Sequence, residues 1–186
     1  MGHREDLLEG AKRCLVERGY SRTTARDIVE ASGTNLGSIG YHYGTKDRLL
    51  LQAMVELSGE LAVSMMTVDV GAGDPESRLL AFWEGMIASF RADPALWKAN
   101  IEILAQTLHD EELRSRLAAT QEQARAGIAG HLSPGSASPR AAGSVHFALI
   151  MGVMSQHLID PERAPSATEV VAGLRAVGAA LAPDGR

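Results

Sequence analysis

Several kinds of residue are scarce in this chain, and each scarcity removes a class of protein. One cysteine, Cys14, stands among 186 residues. It rules out a disulfide within the chain and fits a reducing compartment, where a lone thiol acts as a small buried hydrophobe. Aromatic residues make up 4% of the sequence. No segment alternates apolar and polar residues with β-branched enrichment, so extended sheet is not expected. No uncharged apolar run reaches the ~18 residues of a membrane span, and the first ten residues, "MGHREDLLEG", are charged. Neither a membrane segment nor a secretory signal is expected, and the cytoplasm is the expected location. Excess positive charge is missing too, the net charge being −5.

Chemical signatures are equally sparse. No His/Cys/Asp cluster has zinc spacing, and no nucleophile elbow, phosphate loop or dinucleotide fingerprint occurs. His146 and His157 fall on one helical face, but at a rise of ~1.5 Å per residue they stand about 16 Å apart, too far to share a metal. The "HDEELR" acids at 109–114 are the usual complement of a helix dipole. An enzyme is not expected, nor is a metal or any cofactor.

What the chain does have is apolar residues, 45% of the total, recurring at helical intervals. Breakers at Gly19, Gly33, Gly44, "DVGAGDP" (69–75), "ADP" (92–94), "HDEE" (109–112), "LSPGSASP" (132–139) and "DPERAPS" (160–166) divide it. The intervals predict about nine helices in an all-α fold: 4–18, one ending at Gly33, 36–41, one from Thr45, then 75–91, 94–108, 110–131, 139–159 and 167–182. Charge is unevenly spread. Residues 1–50 carry 8 Lys/Arg against 7 Asp/Glu, and the acidic excess lies beyond them.

The densest pattern is "TTARDIVEASGTNLGSIGYHYGTKDRLL", Thr23 to Leu50. Thr23 or Thr24 opens a helix of barely two turns, with Asp27 completing a capping box for Thr24. Gly33 turns the chain, Asn35 caps a second short helix, Gly44 ends it and Thr45 caps a long one. Two short helices on a tight turn inside a three-helix unit form a helix-turn-helix. Ile28, Ala31, Ile39 and Leu49 supply its apolar points. Gly37, Ser38 and Gly40 keep the second helix low enough to approach a duplex, and Asn35 with the first-turn N–H groups faces phosphate oxygens. Leu36 suits a thymine methyl and Ser38 a base edge.

Thr24, Ile28, Gly33, Gly37, Ile39, His42, Tyr43 and Lys46, followed by Leu49, stand in the register of the tetracycline-repressor family of bacterial transcription regulators. Over residues 4–50 the chain resembles that family. The resemblance implies DNA contacts at Thr24, Asn35, Leu36, Gly37, Ser38, Tyr41, His42 and Lys46, with Lys46 on a phosphate. Gly40 stands where the family carries a phosphate-contacting Tyr, for which Tyr41 offers its hydroxyl. Tyr43 takes the place of a buried Phe. Packing of the second short helix on the next is the alternative for Tyr41, His42 and Tyr43, and Arg22, Arg26 and Arg48 are solvated charges, caps or weaker contacts.

The resemblance also implies residues 1–48 as the DNA-binding domain and 49–186 as a helical bundle that binds a small molecule and forms a homodimer. Double-stranded operator DNA and a largely apolar effector are then the partners. Trp83, Met86, Phe90, Trp97, Asn100, Leu104 and His146 are candidate pocket residues, with ordinary core as the alternative. Ser144, Ala148, Gly152 and Ser155 form a small-residue ridge which, with Val170, Leu174 and Val177, either meets a partner subunit or sits against the chain's own core. The reading from another class is an all-α small-molecule-binding or enzymatic protein whose N-terminal module no longer binds DNA.

Overall fold

The computed structural model of the protein describes residues 2–181, and among these every regular element is a helix. In chain order they are α1 (His3–Arg18), α2 (Ala25–Ser32), α3 (Leu36–Tyr43), α4 (Lys46–Met66), α5 (Pro75–Ala92), α6 (Pro94–Gln106), α7 (Glu111–Leu132), α8 (Pro139–Ile159) and α9 (Ala167–Leu181). The breakers act where the sequence places them. Gly33 adopts φ 65°, a left-handed conformation that lets α2 stop and α3 leave in a new direction. α3 runs two residues beyond the expected Tyr41, so His42 and Tyr43 belong to its last turn. The expected end of the final helix, residue 182, lies outside the described residues.

The helices gather into two compact units that do not follow the chain: Met1–Val63 with Ala95–Gln123, and Ser64–Pro94 with Ala124–Arg186. The expected boundary at 48/49 falls inside α4, a continuous helix. In the first unit α1, α2 and α3 pack on one another. Leu7, Ala11, Ile28, Ile39, Leu49 and Leu50 share one apolar cluster with Ala99, Ile103, Leu113 and Leu117 from α6 and α7. Burying a side chain such as Leu or Ile contributes ~1.5–3 kcal/mol relative to exposure, so four distant residues matter to that core. Glu102 of α6 adds a polar tie, its carboxylate accepting the Tyr20 N–H at 3.0 Å, just past the end of α1. Lys12 is mostly buried and held between Glu9 (2.6 Å) and Glu60 (2.5 Å).

In the second unit α5 packs on α8 and α9. Phe82, Trp83, Met86, Phe90, Ile128 and Ile150 are fully buried there. An ion pair of 2.6 Å joins Arg175 of α9 to Glu76 of α5. α8 meets α7 at Gly143, where a Cβ would run into the Arg125 carbonyl and stand 3.1 Å from the Ala129 Cβ. Only glycine admits that approach. Two helices, α4 and α8, are long and apolar enough to cross a membrane by length and composition. The windows concerned are 50% and 28% buried.

Candidate nucleic-acid interface

Capping residues lock α2, the turn and α3. Thr24 accepts the Asp27 N–H at 3.2 Å, and its own N–H and hydroxyl donate to Asp27 Oδ2 at 2.8 and 2.6 Å. Those bonds from Thr24, with Arg18 at 3.1 Å, hold the Asp27 carboxyl below the usual carboxylate range. Across the turn the Ser32 and Thr34 hydroxyls meet at 2.7 Å, and the Thr34 N–H donates to the Val29 carbonyl. Asn35 Oδ1 then accepts the Ser38 N–H at 3.1 Å, satisfying one orphan donor of α3. Ile39 is the buried residue of α3, and with Ile28 and Leu49 it fixes the helix to the core.

That anchorage decides which side of α3 faces out. Leu36, Gly37, Gly40 and Tyr41 are exposed, Leu36 by 53% and Tyr41 by 85%. Ser38 and His42 flank them, half-buried, and the His42 ring stands edge-on to Tyr41 at 4.8 Å. A low, nearly uncharged strip with one long aromatic is left in solvent.

Two residues, Thr24 and Lys46, sit differently from the simplest expectation. The Thr24 hydroxyl is engaged by Asp27, so its first task is the cap. Lys46 donates to the Thr23 carbonyl at 3.3 Å and has Asp47 at 3.8 Å, which ties the start of α4 to the residue before α2. Tyr43 packs against the core, and its hydroxyl donates to the Arg4 carbonyl at 2.8 Å. Helical spacing shows no such bond across 39 positions.

The pocket candidates divide between the two units. Trp83, Met86, Phe90 and His146 lie in the second unit, Trp97, Asn100 and Leu104 in the first. Leu104 is the most exposed of them. It is 44% exposed, because α6 buries Trp97, Ala99 and Ile103 and turns Leu104 away. The His146 Nε2 lies 3.3 Å from the Ser133 hydroxyl, and burial pushes its pKa down. His157 Nε2 meets the Pro165 carbonyl at 3.0 Å. Among the described residues no cluster of three or more metal-ligating side chains forms. On α8, Ala148 and Gly152 are exposed and Ser144 and Ser155 half-buried, while on α9 Leu174 is half-buried and Val177 60% exposed. Val170 is buried within its own subunit.

A capped helix, a left-handed glycine and a short helix exposing its outer face on a three-helix unit define a helix-turn-helix protein of the DNA-reading kind. Comparison with known proteins identifies which kind. The family described as bacterial regulatory proteins, tetR family, matches residues 7–53, and the tetracyclin repressor-like C-terminal domain matches residues 74–180. The HTH-type transcriptional repressor AcnR of Corynebacterium efficiens is 33% identical over 132 residues, covering 66% of this chain and 68% of that protein. Among solved structures, Salmonella enterica GusR superposes with a TM-score of 0.71 at 22% identity, covering 94% of each chain. A TetR transcription regulator from Haloarcula marismortui superposes with a TM-score of 0.69, also at 22% identity, over 96% of this chain and 95% of that one. The chain belongs to the tetR family: it is a DNA-binding transcription regulator and not an enzyme.

Proposed function

We propose that the protein is a homodimeric, cytoplasmic repressor that holds a palindromic operator through α3 and releases it when a small, largely apolar effector binds. Residues 1–48 read the DNA, and 49–186 carry the effector and dimer contacts. The observation that carries the DNA reading is the outward strip of Leu36, Gly37, Gly40 and Tyr41, fixed from behind by Ile39. Leu36 and Ser38 meet base edges. Asn35, Gly37, Tyr41, His42 and Lys46 hold the backbone, and Thr24 positions α2 through its cap.

Unmatched polar atoms in the second unit support the effector. Trp83 Nε1, His146 Nδ1 and His157 Nδ1 are buried and lack a hydrogen-bond partner. Buried polar atoms without partners are rare in native proteins, and a bound molecule supplies what is missing. The pocket set is therefore Trp83, Met86, Phe90 and His146. Dimerisation is supported by the outer face of α8, where Val145 (55%) and Ile159 (80%) are exposed beside Ala148 and Gly152. Val177 (60%) and Leu181 (79%) continue that apolar exposure on α9.

The test is a fluorescence-polarisation titration with duplex from upstream of the protein's own gene, repeated at several salt concentrations. Salt-dependent binding with protection of two half-sites about one helical turn or more apart is the expected result. Absence of binding to any duplex at low salt sinks the reading in favour of a small-molecule-binding protein.

A further inference from the structure

A chain of net charge −5 that binds a polyanion must concentrate its free cations. Most basic side chains of the first fifty residues are already engaged. Lys12 and Arg18 hold carboxylates, Lys46 has Asp47 and the Thr23 carbonyl, and Arg13 and Arg22 donate to backbone carbonyls. Among the described residues, Arg4, Arg26 and Arg48 have no carboxylate within ion-pair reach. Two of these three, Arg4 and Arg48, line one groove of about 270 Å³ beside α3, together with His42.

The groove is built, not incidental. The Tyr43 hydroxyl donates to the Arg4 carbonyl at 2.8 Å, and the Arg4 guanidinium lies 5.6 Å from the centre of the Tyr43 ring. The end of α3 thus fixes the first turn of α1 and its cation. Arg48 comes from the first turn of α4. The far wall is electrically closed, since Arg116 bonds Gln52 Oε1 at 2.8 Å and has Glu112 at 3.9 Å. Glu112 is the one carboxylate lining the groove, and it is matched by Arg116, so the charges of Arg4 and Arg48 are left over.

We propose that this groove holds a backbone phosphate of the duplex that α3 engages, with Arg4 and Arg48 as its ligands, His42 on its edge and Tyr43 as the positioning residue. The assignment rests on the DNA-binding reading above and extends it from the recognition helix to α1 and α4. It gives the Tyr hydroxyl at position 43 a task that a buried Phe cannot perform.

Phosphate contacts act on any sequence, so the probe is a fluorescein-labelled mixed-sequence duplex of about 30 base pairs. The full chain is titrated between about 50 and 200 mM salt. Arg48→Ala and Arg4→Ala are each expected to lower the slope of log affinity against log salt by about one for every contact removed. Arg48→Lys restores it. Tyr43→Phe keeps the packed ring, so the thermal midpoint stays near the parent's while affinity falls a few-fold and the slope drops in the same direction. Arg114→Ala, removing a cation paired with Glu111 elsewhere on α7, leaves the slope unchanged. Parental slopes in both Arg4→Ala and Arg48→Ala overturn the proposal. So does inorganic phosphate raising the melting temperature of the parent but not of Arg48→Ala while DNA slopes stay equal, for the groove then takes a small anion. A parent that binds no duplex at any salt brings down the DNA reading itself, and this inference with it.

Discussion

Two helices of this protein expose small residues to solvent, in different surroundings. α3 offers Gly37 and Gly40 beside Leu36 and Tyr41, and α8 offers Ala148 and Gly152 beside Val145 and Ile159. Both are low surfaces that allow close approach. The surroundings differ. Around α3 stand the unpaired cations Arg4 and Arg48, the ammonium of Lys46 and the Asn35 cap. α8 carries one formally charged residue, Arg140, at its very start. A low surface ringed with cations suits a polyanion that must be followed along its backbone. An uncharged one suits a second copy of itself, where desolvating a charge would oppose association.

The contrast is sharpest at Ala148. Ala148→Trp is expected to overpack the α8 contact by ~1–3 kcal/mol or more in each copy, and a two-fold interface carries the lesion twice. Sedimentation should show monomer at micromolar concentration, and operator binding should vanish although α3 is untouched. A variant that stays dimeric with unchanged DNA affinity would place the interface elsewhere. Next in size is the pair Gly143→Ala and Gly152→Ala on the same helix. The first drives a methyl into the Arg125 carbonyl and should lower urea stability by ~1–3 kcal/mol. The second meets nothing within 4 Å in the subunit and should leave its fold intact. Equal stability of the two variants would refute the close approach of α7 and α8.

A smaller effect tests the α3 side. Asn35→Ala removes the cap from the Ser38 N–H and should cost about 1 kcal/mol, seen in chemical denaturation together with weaker duplex binding. If DNA affinity falls while stability does not, Asn35 acts on the phosphate more than on its own helix. The smallest is a pH effect on α8. Burial lowers the His146 pKa, so below the ordinary value of 6.5 the unfolded chain takes up a proton that the folded chain refuses. Stability contributed by the neutral ring is full above that value and declines as pH falls. A stability profile from pH 7.5 to about 5 should therefore drop more in the parent than in His146→Gln. Parallel profiles would place His146 in water.

Why was one surface legible in the sequence and the other only half so? The reading of 23–50 rests on local chemistry. Asn35 caps because its own side chain reaches the N–H three residues on, and Gly33 turns because it alone takes the left-handed conformation cheaply. Such signals need no knowledge of the rest of the fold, and the structure carries both. Helical periodicity in α6 is of another kind. It shows that Trp97 and Leu104 belong to an amphipathic helix but not which core that helix joins, and the apolar Leu104 turned out to face solvent. Tyr43 and Arg4, Lys46 and Thr23, and Gln52 and Arg116 pair across long stretches of chain through single hydrogen bonds. No composition or spacing announces them. The groove beside α3 is made of such pairs, so it became visible only in three dimensions.

The shared core of α1–α4 with α6 and α7 has a consequence for how the chain is made. Translation proceeds N-terminus first at ~5–20 residues per second, so the sixty residues from Leu57 to Leu117 take about three to twelve seconds to appear. Through that interval Leu7, Leu50 and their neighbours wait for Ala99, Ile103 and Leu117, and the Tyr20 N–H waits for Glu102. The helix-turn-helix is thus drafted early but finished late, and a newborn chain gains a settled grip on DNA only once the residues up to Leu117 have been made.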